Sequence, residues 1–404
     1  MVSVSPSRNI VIAAGLRLPQ ARAGGAYAKE DAGHLGARLA REFLARHDVD
    51  PSELDEVIVG CVGQPHDQAN IARVIGIRAG VPRHVPAHTV ARNCASGMQA
   101  VTTAATQIEA GLGDTYLCLG VEVMSAYPLV FNQSGIDFFA RLAKARTPLA
   151  KLKAGLSLRP TMFAPRIALM EGLTDPTCGL LMGQTAENLA RDFGITREQS
   201  DAFALRSHNR AAAARDSGRT ARELIPHLGT GSRPRTAALL ADDGIRDDQS
   251  IQALAKLKPY FEKPDGQVTV GNACGITDGT TALLVTTEEK AKALGLEPLA
   301  RLRAFAWAGC DPSRMGLGPV FATAKVFEAA GVELSDVGAV EINEAFAAQV
   351  LACQKAFAST EFASDKLGRG KPLGELDSSL LNPNGGAIAV GHPVGATGAR
   401  LILT

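Results

Sequence analysis

What most restricts this chain is a layout that occurs twice: an amphipathic helix, an apolar strand and, further on, a turn of small residues opening another helix. In the first copy His34 to His47 reads as the helix and Val57-Ile58-Val59 as the strand. Between them lies Asp50-Pro51-Ser52-Glu53-Leu54-Asp55. Its turn is Asn93-Cys94-Ala95-Ser96-Gly97-Met98, running into QAVTTAATQIEAG. In the second copy Pro319 to Ala330 is helical and Gly331 closes it. Leu334-Ser335-Asp336 then leads into the strand-like Val337 to Ile342. Its turn runs from Gly391-His392-Pro393 through Gly398 into ARLILT. Alternating helical and strand patterns of this kind predict an α/β chain. A repeated layout suggests two similar halves packed together. The plain alternative is chance likeness between generic α/β segments.

The length, 404 residues, exceeds what one core usually supports. We place the first half at 1–124 with 268–295, an inserted loop domain at 125–267, and the second half at 296–404. The insert opens with a basic, apolar stretch, Phe138 to Arg166. Two helices are expected after it, one near Gln184-Thr185-Ala186-Glu187 and one behind the capping box Thr196-Arg197-Glu198-Gln199. Gly229 to Gln249 reads as an exposed loop. Val268-Thr269-Val270 reads as a strand returning to the core ahead of Gly271-Asn272-Ala273-Cys274-Gly275.

A net charge of +1 argues against a general affinity for nucleic acid or membranes, while leaving local patches open. Seven scattered cysteines without metal-ligand spacing argue against a disulfide framework and a metal site. With no signal peptide pattern at the N-terminus, the expectation is a cytoplasmic enzyme in a reducing compartment.

Cys94 has the context of a nucleophile. It follows a strand end and opens a helix, where the positive end of the dipole is expected to lower a thiol pKa. Small neighbours leave room for substrate, and its own amide could serve an oxyanion. The alternative is an inert buried cysteine, which Cys61, Cys118 and Cys353 fit by their apolar settings. A nucleophile needs a base, and His392 sits at the matching turn of the other half, stiffened by Pro393 and preceded by Gly391. Asn343, in Asn343-Glu344-Ala345-Phe346-Ala347, could hold a water or face an oxyanion; its alternative is a helix cap.

NCASGMQA, GNACGITDG, NEAFAAQ and NPNGGAIAVGHPVGATGARL, in this order and spacing, resemble the thiolases over nearly the whole chain. MGQTAENLARDFGITREQSDAFALRSHNRAA is most similar to the 3-ketoacyl-CoA thiolases of fatty-acid β-oxidation. The basic extension resembles the β subunit of the trifunctional complex. The resemblance implies a five-layered αβαβα fold and no permanently bound cofactor, with coenzyme A as co-substrate. Cys94 would attack the 3-keto carbonyl, His392 would activate it and help form an oxyanion hole, and Asn343 would hold a water there. Met182, Ala273, Cys274, Ala345 and Phe346 would line the pantetheine tunnel.

It further implies acyl-CoA and CoA as ligands, a homodimer or tetramer, and a hydratase/dehydrogenase α subunit as partner. The stretch 138–166, basic residues interleaved with apolar ones, reads by its own pattern as a surface for peripheral contact with an anionic membrane or for an acidic partner subunit; its alternative is a solvated helical face. Cys274 stands where many relatives carry serine. Leu181 stands where some short-chain members have histidine, and Asn343 where trifunctional-type relatives often do. Thiolases usually continue past the G-H-P helix into further strands and a turn bearing a second acid–base cysteine, so C-terminal strands are expected to be missing here. The rival readings are a biosynthetic acetyl-CoA acetyltransferase or other acyltransferase of the superfamily, and a non-catalytic acyl-CoA-binding or scaffold protein.

Overall fold

The computed structural model describes residues 3, 4, 6–228 and 238–404. The first part of the loop expected at 229–249, through residue 237, lies outside the described residues. The chain forms two compact units, one of residues 1–126 and 183–404 and the other of 127–182.

The larger unit is organised by a seven-stranded sheet. Its strands are β1 (Ile10–Arg17), β2 (Ala21–Arg22), β3 (Glu56–Gly60), β4 (Ala87–Val90), β5 (Thr115–Val123), β6 (Thr277–Thr287) and β7 (Ala300–Arg301). The order is β7-β1-β6-β5-β3-β4, with β2 pairing to β6. β3 lies parallel to β4 and to β5, whereas β6 runs antiparallel to β5 and β1. The residues of β1, β5 and β6 are buried throughout. Strands covered on both faces favour apolar residues, as in 10–16 of β1 and 282–285 of β6, although Arg17, Glu122 and Asp278 are buried in β1, β5 and β6.

The longer helices of this unit are α1 (Ala32–Arg46), α2 (Ile71–Ala79), α3 (Ser96–Glu109), α6 (Met182–Asp192), α7 (Arg197–Asp216), α8 (Gly318–Ala330), α9 (Ala347–Ala358) and α10 (Val394–Leu403). One face of the sheet packs Val57, Leu119 and Leu284 against Leu39 and Phe43 of α1 and Ile75 of α2. The other packs Ile58, Cys118 and Leu283 against Val101 and Ala104 of α3 and Ala399 of α10. A second core gathers Leu189, Phe203, Val320, Val350 and Phe357 from α6, α7, α8 and α9.

The expected helices formed where their caps predicted. Thr196 and Gln199 make the reciprocal capping box of α7. Gly331 closes α8 in the left-handed conformation, at φ 63°. Two expected strands did not form, for one shared reason. At 337–342, Val340 makes a single parallel bridge to Leu381. The side chain of Asn382 then substitutes for a neighbouring strand, accepting from Ile342 N–H at 2.8 Å and donating to Ile342 C=O at 2.9 Å. At Val268-Thr269-Val270, Glu187 accepts from Val268 N–H at 2.9 Å and Asn272 accepts from Thr269 N–H at 2.8 Å. Buried backbone groups must find partners, and in both segments polar side chains supply part of them, the backbone of Leu380, Asn382 and Tyr260 supplying others.

The smaller unit, 127–182, contains the antiparallel pair Leu129–Phe131 and Pro165–Ile167 and the helices α4 (Gln133–Lys144) and α5 (Pro148–Gly155). Asn132 caps α4 and Thr147 caps α5 through their side chains. Phe131, Phe138, Phe139 and Phe163 form an aromatic cluster with centroid spacings of 5.0–6.4 Å.

Candidate active site

The turn bearing Cys94 joins β4 to α3 and is tied by short-range bonds. Asn93 takes a left-handed backbone at φ 45°, rare for a residue with a side chain. Ser96, fully buried, accepts from Arg92 N–H at 2.8 Å and donates to Asn93 C=O at 2.7 Å. This holds the nucleophile candidate at the entrance to α3. Cys94 is exposed, whereas Cys61, Cys118 and Cys353 are buried.

The turn bearing His392 comes from the other half of the chain and arrives beside the first. Gly391 has φ 110°, a conformation that side chains resist. α10 then lies against α3 so closely that a methyl group on Gly97 would come within 2.6 Å of the Ala399 backbone nitrogen. A glycine is needed at that crossing. The two matching turns expected from the repeat therefore open helices packed side by side.

His392 is buried and fixed at three points. Its N–H donates to Thr277 Oγ1 at 2.7 Å, Nδ1 lies 2.7 Å from Thr397 Oγ1, and Nε2 lies 3.2 Å from Asn343 Nδ2. Asn343 is not a helix cap: α9 begins at Ala347 behind Phe346. Its Oδ1 is buried without a hydrogen-bond partner, an acceptor open to a water or a substrate group. The next residue, Glu344, is buried and accepts from Ser207 Oγ at 2.5 Å, Asn382 Nδ2 at 2.8 Å and Ile388 N–H at 3.3 Å. That carboxylate anchors the loop presenting Asn343.

Ala273, Cys274, Ala345 and Phe346 form one patch of paired backbone. Ala273 bridges antiparallel to Phe346, and Cys274 N–H donates to Ala345 C=O at 3.0 Å. Burial pushes the Cys274 thiol up, and the nearby Cys94 adds to that rise. Met182 is the last residue of the 127–182 unit, where its N–H donates to Leu173 C=O at 3.0 Å.

The electrostatics differ from the expectation at Cys94. Desolvation by the surrounding protein pushes its thiol up, to about 11, and the Glu122 carboxylate pushes the same way. The bond from its own backbone N–H works downward without prevailing. Solvent reaching this exposed residue opposes that rise. Burial also holds His392 far down, at about 3, with the Arg400 charge adding to the effect. At neutral pH the pair is thus a neutral thiol and a neutral imidazole. A thiol of this kind needs a base at the moment of attack.

Sequence reasoning did not find Thr277, Thr397, Glu122 or Glu344. Thr397 could have been found by its spacing, since it stands five residues past His392 in the first turn of α10.

The family model described as "Thiolase, N-terminal domain" matches residues 10–289, and "Thiolase, C-terminal domain" matches 296–404. The chain is 40% identical over 394 residues to a protein named 3-ketoacyl-CoA thiolase from Yersinia pestis (strain Pestoides F), covering 97% of this chain and 89% of that one. Among solved structures, the Bacillus anthracis acetyl-CoA acetyltransferase superposes with a TM-score of 0.84 at 38% identity, covering 99% of this chain and 92% of that one. Human mitochondrial 3-ketoacyl-CoA thiolase in complex with CoA does so with a TM-score of 0.83 at 33% identity, covering 98% and 90%.

Proposed function

Because the chain belongs to the thiolase family, we propose that it transfers acyl groups between 3-ketoacyl-CoA and CoA through a thioester on Cys94. The observation that carries the reading is the pairing of Asn343 with His392, on a turn whose helix packs against the helix that Cys94 opens. The Cys94 proton passes to His392, and the sulfur electron pair forms a bond to the 3-keto carbon. Collapse of the resulting oxyanion breaks the C2–C3 bond, and the acetyl-CoA enolate takes up at carbon the proton that His392 received from Cys94. CoA thiol then attacks the acyl-cysteine, giving a shortened acyl-CoA and regenerating the thiol. Asn343, through its unpartnered Oδ1, orients a water at the oxyanion. Ala273, Cys274, Ala345 and Phe346 contact the pantetheine arm. On the same footing, the enzyme works in the cytoplasm as a homodimer or tetramer with a hydratase/dehydrogenase α subunit, and residues 138–166 touch an anionic membrane surface.

The test is intact-protein mass spectrometry after mixing with 3-ketoacyl-CoA. The expected result is a burst of acetyl-CoA with one acyl group on Cys94, slowed by about 10²–10⁴-fold in His392→Ala. No acyl adduct on Cys94 would favour a binding or scaffold protein. The likeness to an acetyl-CoA acetyltransferase supports a second reading. Reactivity confined to acetoacetyl-CoA across a series of chain lengths would favour it.

A further inference from the structure

We propose that Thr397 fixes the working tautomer of His392: its hydroxyl accepts Nδ1–H and so leaves the lone pair on Nε2 to take the Cys94 proton. The inference rests on the reading of His392 as the base and names the residue that makes it one. Thr397 Oγ1 lies 3.0 Å from Pro393 C=O and 2.7 Å from His392 Nδ1. A hydroxyl has one proton to give. The carbonyl can only accept, and helical threonines commonly donate to the carbonyl four residues back. With its proton committed there, Oγ1 faces the ring as an acceptor, and Nδ1 carries the hydrogen. A neutral imidazole then has its lone pair on Nε2, where the amide Nδ2 of Asn343 donates across 3.2 Å.

The opposite tautomer needs two changes together. The hydroxyl must turn away from Pro393 to donate to the ring, and the Asn343 amide must rotate to bring its oxygen to Nε2–H. The backbone supports the observed ring position independently, since His392 N–H is held by Thr277 Oγ1 at 2.7 Å. Burial of Thr397, with no exposed surface, keeps water from competing for its hydroxyl. The proton count then runs through one nitrogen. As the Asn343 amide gives up its long bond to Nε2, the proton leaves Sγ and arrives at Nε2, the sulfur pair forms the bond to carbon, and the carbonyl π pair moves to oxygen. The new Nε2–H is left as a donor to that oxygen, while Nδ1–H stays on Thr397 throughout. Thr397 is therefore a positioning residue, acting through His392.

Long-range ¹H–¹⁵N correlation of the ¹⁵N-histidine-labelled chain, with His392→Gln to assign the signals, reads the tautomer directly. The expected spectrum has a pyrrole-like Nδ1 and a pyridine-like Nε2 at neutral pH. Thr397→Val should mix the tautomers and slow Cys94 acylation by roughly 10–100-fold, part of what a positioned base supplies, with KM unchanged. Thr397→Ser should restore both. A wild-type signal showing Nε2–H, or a Thr397→Val chain that keeps both tautomer and rate, overturns the proposal. Should the Val variant not fold, the wild-type spectrum and the Ser variant still decide it. Acylation at full rate in His392→Ala alongside the expected wild-type spectrum would instead fault the base reading and leave the tautomer assignment intact.

Discussion

The N–H of Gly395 donates to Oε2 of Glu122 across 3.0 Å, so a carboxylate on β5 holds the turn that presents His392. The same side chain accepts from Val62 N–H at 3.0 Å and Gly63 N–H at 2.9 Å. Glutamine at this position would set an amide NH₂ against backbone donors. Glu122→Gln should therefore lose on the order of 1–3 kcal/mol of stability, as when bonds to a buried charged acceptor are removed. It should also bring the Cys94 thiol pKa down, because the Glu122 charge helps raise it. Urea unfolding and the pH dependence of alkylation measure the two effects. An unchanged midpoint together with an unchanged alkylation profile would refute the role.

Burial holds His392 at about 3, and the neutral ring is the form that accepts a proton. Cys94 acylation should then stay level from pH 8 to pH 5 and fall only as pH approaches 3. A fall centred near the ordinary histidine value of 6.5 would show that the ring titrates as it does in water. The stability consequence has the same sign. Between pH 3 and 6.5 the unfolded chain binds a proton at this histidine that the folded chain does not, so the group's contribution weakens as pH falls through that window. Comparing wild type with His392→Gln by thermal unfolding isolates it: the gap should shift in favour of the variant as pH drops.

Cys94 is exposed, whereas the other six cysteines are buried or half-buried. Iodoacetamide should label Cys94 first at neutral pH, slowly, with a rate that climbs as pH rises toward 11. The thiolate is the reacting form. Peptide mapping that finds Cys274 or Cys310 modified ahead of Cys94 would count against it.

The sequence made Cys94 and His392 legible because their signal is local: small residues at a turn, followed by a helical pattern. The helices were equally legible, since caps such as Thr196 with Gln199 are short-range devices. What failed at 337–342 and 268–270 was non-local. Both runs are apolar enough for strands, but their backbone groups are taken by Asn382, Glu187 and Asn272, and pattern alone does not show which polar side chain is aimed at which amide. The direction of the Cys94 shift escaped for the same kind of reason. A helix start is visible in sequence, whereas the protein packed around the thiol and the carboxylate of Glu122 are brought there by folding. Thr397 was in plain view beside His392, and its role emerged only once its second contact, Pro393 C=O, was known.

The stretch from Phe138 to Arg166 carries seven basic residues and no acid. Arg166 is engaged by Glu171 at 2.8 Å, so the surface charge rests mainly on the other six. Leu149, Leu152 and Leu156 of α5 and its C-cap are exposed at 76%, 61% and 79%. Phe139 and Phe163, half-exposed, sit on the aromatic cluster nearby. Exposed leucines among lysines are costly in water and favourable at an anionic bilayer surface, where the rings and leucines enter the interface and the ammonium groups meet headgroups. Each basic residue near such a surface contributes about 1 kcal/mol, so reversing Lys144, Lys151 and Lys153 to Glu should reduce binding to anionic vesicles roughly 100-fold or more. Acylation of Cys94 by a short 3-ketoacyl-CoA should be unchanged, because none of the three lysines belongs to the reacting group. Co-sedimentation with phosphatidylserine vesicles at low and high salt reads the effect, with wild-type binding expected to weaken as salt screens the charges. Binding that ignores both the reversals and the salt would leave these residues as a solvated face of the smaller unit.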